Sequence, residues 1–528
     1  MIRVTDQLAK AAHEWPDRAA ISCALGTLTW AQLYARCQAQ AQALLDLGIT
    51  HGDRVAWLGF NASTGVECYY APALVGAACV PLNFRLSEQE LQTCLADCTP
   101  MVLVCDAAHA ELAVRLAATC PSIKSVWQAG GEPVAGAQPY NDVLSRAEQR
   151  ETPLDDAQTG ADDDLLILFY TGGTTGTPKG VMLSHTNIFT NAMGTAAAFG
   201  ITAGETHYMT GPLFHTAGGS RVYISSLMGT HLVIRPNFDV VDLMQQVSTH
   251  RVNLLQFVPT MMAMMLDHPQ FHKFDMTSLK TLTYGASPMP PELLRRAMAA
   301  FPGVRFGQAF GMTEASPILT ILPPDDHAPD GPNAARLTSV GRAVPYVDMR
   351  IINDDETPCA QGEVGEVIAR GPNIMLGYWN QPEQSATALR GGWYHTGDAG
   401  YLDADGYLFL TGRIKDMIIS GGENVYPIEV ENVISTHPAV AEVAVIGTPD
   451  PTWGERVHAV VSLHSDVDGA AIIDHARARL AHYKCPKQVS FHSGPLPLTA
   501  VNKIDKRALR ALYNVAATAP ETTQKEPS

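Results

Sequence analysis

A loop of small residues with hydroxyls and one lysine is the first feature of the sequence that could do chemistry. Residues 170–180 read YTGGTTGTPKG, and the apolar run LLILFY leads directly into them. Glycines let backbone N–H groups approach phosphate oxygens, threonine hydroxyls offer further hydrogen bonds, and the Lys179 ammonium adds a point charge. The stretch therefore predicts a phosphate-binding loop that projects from the edge of a sheet.

This loop does not match a Walker A motif. That motif has glycine immediately before its lysine, serine or threonine immediately after it, and then a helix. Here Pro178 precedes Lys179, Gly180 follows it, and GVML continues as a second apolar strand. The nucleotide chemistry that the loop serves must therefore be inferred from the rest of the chain.

The elements around the loop predict an α/β fold. Apolar runs alternate with helical patterns, and such strands are typical of buried, largely parallel sheets. The runs are LLILFY (165–170), HLVI (231–234), NLLQFVP (253–259) and LKTLTYG (279–285). After Asp326, proline and glycine turns with short segments such as DMRIIND and GEVGEVIARG predict a β-rich subdomain that completes the large lobe. From about Asp416 a new series of strands and helices predicts a small α+β domain.

Composition limits the class of protein. The chain has 528 residues, 46% hydrophobic and 17% charged, which predicts a multidomain globular protein. Its net charge of -17 argues against bulk attraction to nucleic acid or anionic lipid. The first twenty residues lack a signal-peptide core, and the longest apolar stretch, at 71–82, is shorter than the ~20 residues that span a bilayer. We therefore expect no transmembrane segment, no nucleic-acid partner and a cytoplasmic location.

The ten cysteines predict neither a disulfide framework nor a zinc site. No C-x-x-C pair occurs. Cys94 and Cys98 stand at helical i, i+4 spacing, and we interpret them as reduced thiols in a packed helix rather than as metal ligands.

YTGGTTGTPKG resembles the signature of the adenylate-forming superfamily, which includes acyl-CoA synthetases, luciferases and the adenylation domains of peptide synthetases. Six further segments occur in that family's order, so the resemblance covers nearly the whole chain. It implies an acyl-CoA synthetase of the fatty- or aryl-acid branch, with ATP, Mg²⁺ and coenzyme A as its cofactors and co-substrates. It also implies that ATP is bound by Thr171, Gly172, Gly173, Thr174, Thr175, Gly176, Lys179, Gly285, Ala286, Ser287, Phe310, Gly311, Asp398 and Arg413.

Two segments resemble those that border the acyl group. GPLFHTAGG (211–219) implies that His215 lies near the substrate carboxylate, and TYGASPMP implies that residues 285–287 form a wall beside adenine and acyl group. Taken alone, His215 would be interpreted as a packed or capping histidine, and the second segment as a strand-to-helix turn.

GQAFGMTEASP (307–317) resembles the next motif of the family. By this likeness Phe310 stacks on the purine, Thr313 contacts the α-phosphate and Glu314 helps to hold Mg²⁺. The assignment suits magnesium, which binds through one or two carboxylates together with phosphate oxygens and water. Many relatives have Gly-Tyr where this chain has Ala309-Phe310, so the stacking surface is kept and a hydroxyl is lost. An ordinary surface role for the Glu314 carboxylate stays open.

The segment YHTGDAGYLDADGYLFLTGRIKD resembles the paired ribose-binding segments, with Asp398 and Arg413 on the ribose oxygens. Without that order, Asp398 would be read as a residue that closes its own turn. The resemblance places the pivot between lobes at Lys415. It further implies that Gly421, Gly422 and Glu423, in SGGENVYPIEVE, line the pantetheine tunnel of coenzyme A.

PLPLTAVNKIDKRALR (495–510) resembles the segment that carries the catalytic lysine, here Lys503. The family usually has glycine before this lysine, and this chain has Asn502, a residue that tolerates a left-handed backbone. We interpret Lys506, Arg507 and Arg510 as a solvated helix face. The complete catalytic set implied by the resemblance is Lys503, His215, Thr313 and Glu314.

The expected domains are a large adenylation domain over 1–412, a hinge at 413–415, a small C-terminal domain over 416–515 and a disordered tail over 516–528. The implied reaction converts a carboxylate and ATP into acyl-AMP and pyrophosphate, after which rotation about Lys415 withdraws Lys503 and admits the CoA thiol. A homodimer is an expectation from the family alone.

Several alternatives remain at this point. His215 occupies the place where peptide-synthetase domains carry an aspartate for the substrate amino group, which argues against an amino-acid substrate. A different acyl acceptor, luciferase-like oxidation, a phosphotransferase that yields ADP, and a non-catalytic nucleotide or acyl-binding protein stay open.

A fatty, aryl or alicyclic monocarboxylic acid is the expected substrate. Arg221, six residues after His215, either pairs a second substrate carboxylate or has a surface or structural role. The methionine-rich stretch 258–266 is interpreted as a packed helix, with an adaptable pocket wall as the alternative.

Overall fold

Buried strands with helices on both faces build the first of two compact units. The computed structural model describes residues 3–148, 163–171, 178–285, 289–329, 331, 333–499 and 504–514. One unit comprises Met1–Met349 and Ala369–Tyr394, and the other comprises Arg350–Ile368 and His395–Ser528. The predicted boundary after residue 412 lies inside the second unit, so the observed division differs from it, and the hinge at 413–415 stays a prediction.

The helices alternate with strands through most of the chain. Among the described residues they are α1 (Val4–Glu14), α2 (Trp30–Asp46), α3 (Ser63–Tyr70), α4 (Glu88–Cys98), α5 (Ala110–Thr119), α6 (Tyr140–Glu148), α7 (His185–Phe199), α8 (Thr216–Met228), α9 (Val240–His250), α10 (Pro259–Leu266), α11 (Pro291–Ala300), α12 (Pro382–Ala388), α13 (Pro427–Ile434), α14 (Gly469–Arg477) and α15 (Lys506–Asn514). No helix in this part of the chain is long and apolar enough to cross a bilayer.

Two large sheets organise the first unit. One, in the described residues, contains β1 (Ala19–Cys23), β2 (Gly26–Thr29), β10 (Thr206–Met209), β11 (His231–Ile234), β12 (Leu254–Phe257), β13 (Thr281–Gly285), β14 (Arg305–Gly311), β15 (Ile318–Leu322) and β16 (Arg342–Ala343). The other contains β3 (Arg54–Leu58), β4 (Ala78–Pro81), β5 (Val102–Asp106), β6 (Ser125–Ala129), β7 (Gln138–Pro139), β8 (Leu165–Thr171), β9 (Lys179–Ser184) and β19 (Gly377–Tyr378). Their inner pairs are parallel, as the apolar runs predicted, and β8 pairs antiparallel with β9, as does β14 with β15.

The second unit is richer in antiparallel strands. A sheet in the order β17-β18-β20-β21 is formed by β17 (Asp348–Ile352), β18 (Gly365–Arg370), β20 (Tyr394–Leu402) and β21 (Leu408–Arg413). A further sheet is formed by β22 (Ile418–Ser420), β23 (Glu423–Val425), β24 (Val440–Asp450), β25 (Gly454–Leu463) and β26 (Gln488–Phe491). These strands confirm a β-rich segment and a small α+β series. The prediction that the β-rich segment completes the large lobe is wrong, because its strands group with the second unit.

The core sits on both faces of the first sheet because side chains alternate along its strands. Leu255 and Phe257 of β12 belong to a buried cluster that includes Met262 of α10, whereas Leu254 packs in another cluster with Phe199 of α7. This period of two is the ordinary geometry of a strand covered on both sides. It confirms that the methionine-rich stretch forms a packed helix.

The buried thiols of α4 also match their interpretation. Cys94 and Cys98 are both buried in an apolar cluster. Burial raises the pKa of Cys94 to about 12, and raises the pKa of Cys98 as well. Neutral thiols in an apolar setting are packing groups.

Candidate active site

The stems of the phosphate loop form a β-hairpin. Thr171 at the end of β8 lies opposite Lys179 at the start of β9, and the Thr171 Oγ1 donates to the Lys179 carbonyl at 3.5 Å. β9 ends at Ser184, whose hydroxyl accepts from the Asn187 N–H and begins α7. Residues Gly172, Gly173, Thr174, Thr175 and Gly176 lie outside the described residues.

Glu314 lies in a short 3₁₀ turn, Thr313–Ala315, directly after β14. Thr313 is buried and Glu314 is half-buried. Oε1 of Glu314 accepts a hydrogen bond from the Tyr378 hydroxyl at 3.0 Å, and Nζ of Lys179 lies 5.0 Å from the centroid of the Tyr378 ring. The structure thus brings two predicted site residues, Lys179 and Glu314, to the same tyrosine.

Glycines beside this turn are needed for close backbone approach. A Cβ on Gly311 would lie 1.8 Å from the Pro317 carbonyl oxygen, and one on Gly285 would lie 2.4 Å from the Ala309 carbonyl oxygen. Side chains are therefore excluded at both positions. Phe310, on β14, packs in part against a buried apolar cluster. Ala286 and Ser287 lie outside the described residues.

His215 begins helix α8 as its N-cap. Its Nδ1 accepts a hydrogen bond from the Ala217 N–H at 3.2 Å. An accepting Nδ1 carries no proton, so the neutral ring has its proton on Nε2, by inference from this bond. The cap uses Nδ1 of the ring, the nitrogen that the Ala217 N–H contacts.

Glycines also bring α8 close to the segment before it. A Cβ on Gly218 would lie 2.3 Å from the Pro212 carbonyl oxygen, and one on Gly219 would lie 2.4 Å from the Tyr69 hydroxyl. The same hydroxyl donates to the Leu213 carbonyl. Small residues in GPLFHTAGG thus fix the position from which His215 projects.

Arg221 is buried on α8 with only 6% of its surface exposed, so a surface role is excluded. Its Nε donates to Gln256 Oε1 at 3.0 Å and its Nη2 to Thr283 Oγ1 at 3.3 Å, while Nη1 is buried without a partner in the described residues. Burial lowers the pKa of Arg221 to about 10. No ion pair with a carboxylate offsets this charge within the described chain, which is costly in a protein interior.

Asp398 and Arg413 meet in the second unit. They are Cα partners on β20 and β21, and Arg413 Nε lies 2.6 Å from Asp398 Oδ1. Arg413 Nη1 also donates to the Thr396 carbonyl at 3.2 Å. Asp398 is buried and Arg413 is exposed, so the pair presents a guanidinium at the surface and a carboxylate beneath it.

The part of β20 before Asp398 is held by a residue that the sequence did not single out. Glu366 Oε1 accepts from the Gly397 N–H at 3.1 Å, and Glu366 Oε2 lies 3.0 Å from His395 Nδ1. Gly397 has φ of 68°, a left-handed value that favours glycine. Glu366 thereby contacts His395 and Gly397, which lie three and one positions before Asp398.

The predicted glycine turn of the second unit is a two-residue hairpin loop. Ser420 and Glu423 are partners on β22 and β23, and both Gly421 and Gly422 have positive φ, of 64° and 84°. Such φ values are those of a type I′ turn. Pro427 opens α13 with Glu429 in its first turn, as predicted. Lys415 is exposed, within the 3₁₀ turn Ile414–Asp416.

Lys503 lies outside the described residues, as does Asn502. Leu498 and Ile504, which are described, form an antiparallel bridge. After it, Lys506 Nζ lies 2.6 Å from Glu431 Oε1, and Arg510 donates to Asp416 Oδ1 at 2.9 Å.

The interpretation of α15 as a solvated basic face is therefore wrong for Lys506 and Arg510, which pair with carboxylates of their own unit. It holds for Arg507, which is exposed. The acidic partners lie about 75 to 95 positions earlier in the sequence, so no local pattern predicts them.

The carboxylate of Glu314 is the metal ligand that the sequence predicts. Among the described residues, no three His, Cys, Asp or Glu side chains are grouped to hold a metal ion. Glu314, with one oxygen hydrogen-bonded to a neutral phenol, fits a magnesium ion whose other ligands are phosphate oxygens and water.

Comparison with known proteins identifies the family. The model of the AMP-binding enzyme family matches residues 8–379, and that of the AMP-binding enzyme C-terminal domain matches residues 429–503. The chain belongs to the AMP-binding enzyme family. The first match spans β8, β9, β14 and the 3₁₀ turn that follows β14.

Relatives within the AMP-binding family define the reaction. A feruloyl-CoA synthase of Amycolatopsis is 39% identical, over 92% of this chain and 94% of its own. A long-chain-fatty-acid–CoA ligase of Mycobacterium tuberculosis is 35% identical, over 94% of each. The structure of o-succinylbenzoate CoA synthetase from Bacillus subtilis, solved with ATP and magnesium, is 30% identical with a TM-score of 0.82, covering 96% of this chain and 99% of that one. The protein is an ATP-dependent acid–CoA ligase that acts through an acyl-adenylate.

Two residues that contact predicted site residues or their neighbours, one in each unit, gave no motif signal. Tyr378 stands in LGYWN, and Glu366 in GEVGEVIARG. The glycine before Tyr378 marks a close backbone approach, and alternation in the second segment marks a strand. Neither feature names the partners, Glu314 and Gly397.

Proposed function

We propose that this acid–CoA ligase uses Lys179, Thr313 and Glu314 for the phosphates of ATP, and Asp398 with Arg413 for its ribose. The observation that carries the proposal is the convergence of Lys179 and Glu314 on Tyr378. The Lys179 ammonium and the Glu314 carboxylate together suit one class of ligand, a polyphosphate with its divalent cation.

Magnesium would be held by Glu314. When bound, this ion neutralises charge on the phosphate oxygens and helps to align them for displacement. The threonine loop, including Thr171 and Thr174, would cradle the phosphates, and Phe310 with Gly285 and Gly311 would border the adenine.

Other residues of the chain would act on the carboxylic acid substrate and on CoA. His215 would lie near the substrate carboxylate as that carboxylate attacks the α-phosphate. Lys503 would bridge carboxylate and α-phosphate as charge reorganises, and pyrophosphate leaves. Turning about Lys415 would then withdraw Lys503 and bring the Gly421–Gly422 hairpin and Glu423 to the pantetheine of CoA, whose thiol attacks the acyl-adenylate and releases AMP.

The proposed acid is an aryl acid. The 39% identical feruloyl-CoA synthase and the o-succinylbenzoate synthetase both carry names of aryl acids. Arg221, Gln256 and Thr283 form a polar cluster on segments adjoining His215 and Gly285, which suits oxygen substituents. A fatty acid is the second candidate, supported by the 35% identical long-chain ligase. A cytoplasmic location and a homodimer stay predictions.

The test is a product analysis. Purified protein is incubated with ATP, Mg²⁺, CoA and a panel of hydroxylated cinnamic, arylacetic and fatty acids, and AMP, pyrophosphate and acyl-CoA are followed by mass spectrometry. Thioester with matching AMP, at higher kcat/KM for aryl acids, is expected. A preference for fatty acids replaces the aryl assignment, and pyrophosphate without thioester points to another acceptor.

A further inference from the structure

Tyr378 contacts both charged side chains that the proposed function gives to phosphate and metal. Its hydroxyl donates to Glu314 Oε1 at 3.0 Å, and its ring centroid lies 5.0 Å from Lys179 Nζ. The tyrosine itself is buried, with 8% of its surface exposed. One aromatic side chain therefore links the cation of the phosphate loop to the carboxylate.

The backbone around Tyr378 is tied to the same two places. The Met375 N–H donates to the Glu314 carbonyl at 2.9 Å, and the Trp379 N–H donates to the Gly180 carbonyl at 2.7 Å. Between these bonds, β19 pairs antiparallel with β9, with Tyr378 opposite Val181. The backbone of Tyr378 is thus held by sheet pairing and by backbone bonds on either side of it.

A neighbouring serine holds the tyrosine amide. The Tyr378 N–H donates to Ser385 Oγ at 2.8 Å, and that hydroxyl donates in turn to the Gln381 carbonyl at 2.7 Å. A Cβ on Gly377 would lie 3.0 Å from the same oxygen. The chain is therefore closely packed between Tyr378 and the first turns of α12.

The two charges do not pair directly. Within the described residues, Lys179 and Glu314 form no ion pair, although each contacts Tyr378. A lysine bound to the carboxylate would neutralise it and compete with a divalent cation for its oxygens. A phenol hydroxyl occupies one oxygen as a neutral donor and leaves the negative charge in place, while the ring face takes the ammonium.

We propose that Tyr378 is a positioning residue of the nucleotide site, which orients the Glu314 carboxylate for the metal and keeps the Lys179 ammonium apart from it. The inference rests on the proposed function, in which Glu314 holds the divalent cation. A glutamate fixed in advance by a hydrogen bond loses less rotamer freedom when it binds a metal. The hydroxyl acts on the metal side and the ring acts on the phosphate side.

Binding measurements separate these two actions without turnover. Mn²⁺ affinity is measured by electron paramagnetic resonance with a nonhydrolysable ATP analogue, and metal-free affinity for the analogue is measured by calorimetry in EDTA. Tyr378→Phe removes the hydroxyl and keeps the ring. We expect about tenfold weaker Mn²⁺ binding, the size of a lost hydrogen bond to a charged group. Metal-free nucleotide binding is expected to stay within about twofold of wild type.

Tyr378→Leu removes the ring as well. It is expected to match the phenylalanine variant for Mn²⁺ and to weaken metal-free nucleotide binding by about threefold, as loss of a cation–π contact predicts. Equal metal-free affinity in the two variants overturns the part of the proposal that concerns Lys179.

Tyr140→Phe is the matched control. The Tyr140 hydroxyl donates to the Glu67 carboxylate at 2.6 Å, so this variant removes the same kind of buried bond elsewhere in the unit. We expect a lower thermal midpoint and unchanged Mn²⁺ affinity. An equal loss of Mn²⁺ affinity in both variants means that Tyr378 acts only through stability.

A double-mutant cycle with Glu314→Ala separates failure of the proposal from failure of its premise. If Glu314→Ala leaves Mn²⁺ affinity unchanged, the metal assignment itself is wrong. If Glu314→Ala weakens Mn²⁺ binding and Tyr378→Phe does not, only the positioning role is overturned. If both weaken it, Tyr378→Phe has no further effect in the Glu314→Ala background. Should Tyr378→Phe fail to fold, Ser385→Ala, which removes the acceptor of the Tyr378 amide, is expected to weaken Mn²⁺ binding about threefold, and unchanged affinity counts against the proposal.

Discussion

Arg413 Nε lies 2.6 Å from Asp398 Oδ1, across two strands on which the residues are direct partners. The aspartate is 5% exposed, whereas 44% of the arginine side chain is exposed. Because the guanidinium is largely in water, we expect this pair to contribute only about 0–1 kcal/mol to stability, and its geometry fits the proposed role at the ribose.

Asp398→Asn and Arg413→Gln are therefore expected to weaken nucleotide binding with little effect on stability. Loss of a charge-assisted hydrogen bond to ribose corresponds to about a tenfold increase in the KM for ATP, larger for Asp398. Steady-state kinetics and thermal unfolding check this. Arg477→Gln, which breaks an exposed pair with Asp474 on α14, is the control and should change neither quantity. A thermal midpoint that falls as much as binding would mean that the Asp398 pair serves the fold.

Local patterns in the sequence predicted the elements that carry the site. Apolar runs gave β8, β11, β12 and β13, and paired glycines gave the turn at Gly421–Gly422. These features depend on near neighbours: alternation of buried residues, or a backbone that needs positive φ. The family was inferred from residue types and their order along the chain, because local folding rules alone do not predict it.

Long-range pairing explains what the sequence did not predict. Tyr378 meets Glu314 only because β19 joins the edge of a sheet built some 200 residues earlier. Arg221 lies on α8, a helix buried on nearly all its faces, so no polar stripe marks the side on which the arginine lies. The carboxylate partners of α15 depend in the same way on packing that no short window of sequence contains.

Lys503→Ala is expected to abolish adenylation and to retain thioester formation from supplied acyl-adenylate. The lysine charge is needed while the α-phosphate is attacked, and no phosphate transfer remains in the second half-reaction. Pyrophosphate release and acyl-CoA formation are measured separately. Lys506→Ala, which removes the partner of Glu431, is the matched lysine control and should retain both half-reactions. Equal loss of both half-reactions in Lys503→Ala would argue against this role.

Lys415→Pro is expected to show the reverse pattern. A fixed φ in the Ile414–Asp416 turn restricts the rotation proposed to follow adenylation, so pyrophosphate release continues and thioester formation falls. Lys415→Ala keeps the backbone free and serves as the control. Normal overall turnover in the proline variant would remove the hinge assignment.

His327 predicts a loss of stability in mild acid. Its Nδ1 donates to the Pro323 carbonyl at 2.9 Å and its Nε2 accepts from the Tyr284 hydroxyl at 3.0 Å, in a buried setting that lowers the histidine pKa to about 4. The unfolded chain takes up a proton near its ordinary pKa of about 6.5, whereas the folded one does not. The contribution of neutral His327 to the free energy of unfolding is therefore complete above pH 6.5. It is lost as pH falls toward 4, and about 2 kcal/mol of it is lost at pH 5.

His327→Gln is expected to reduce the shift in urea midpoint between pH 7.5 and pH 5.0, because glutamine does not titrate there. His272→Gln, at an exposed histidine, should keep the wild-type shift. Identical shifts in wild type and His327→Gln would show that another group governs acid unfolding.

Arg221 gives the sharpest test of substrate class, because its buried charge has no acidic partner in the described chain and one nitrogen, Nη1, is unoccupied. An acid with an oxygen or carboxylate at its far end would supply that partner on binding. We expect wild type to use such an acid at least tenfold better, by kcat/KM, than the same acid without the group, since unpaired buried charge is costly. Arg221→Met should lose this preference while keeping activity on the plain monoacid. Gln245→Met, on α9, is a control that should leave the ratio unchanged. An unaltered ratio in Arg221→Met would assign the arginine to packing of α8 against β12 and β13, through Gln256 and Thr283 alone.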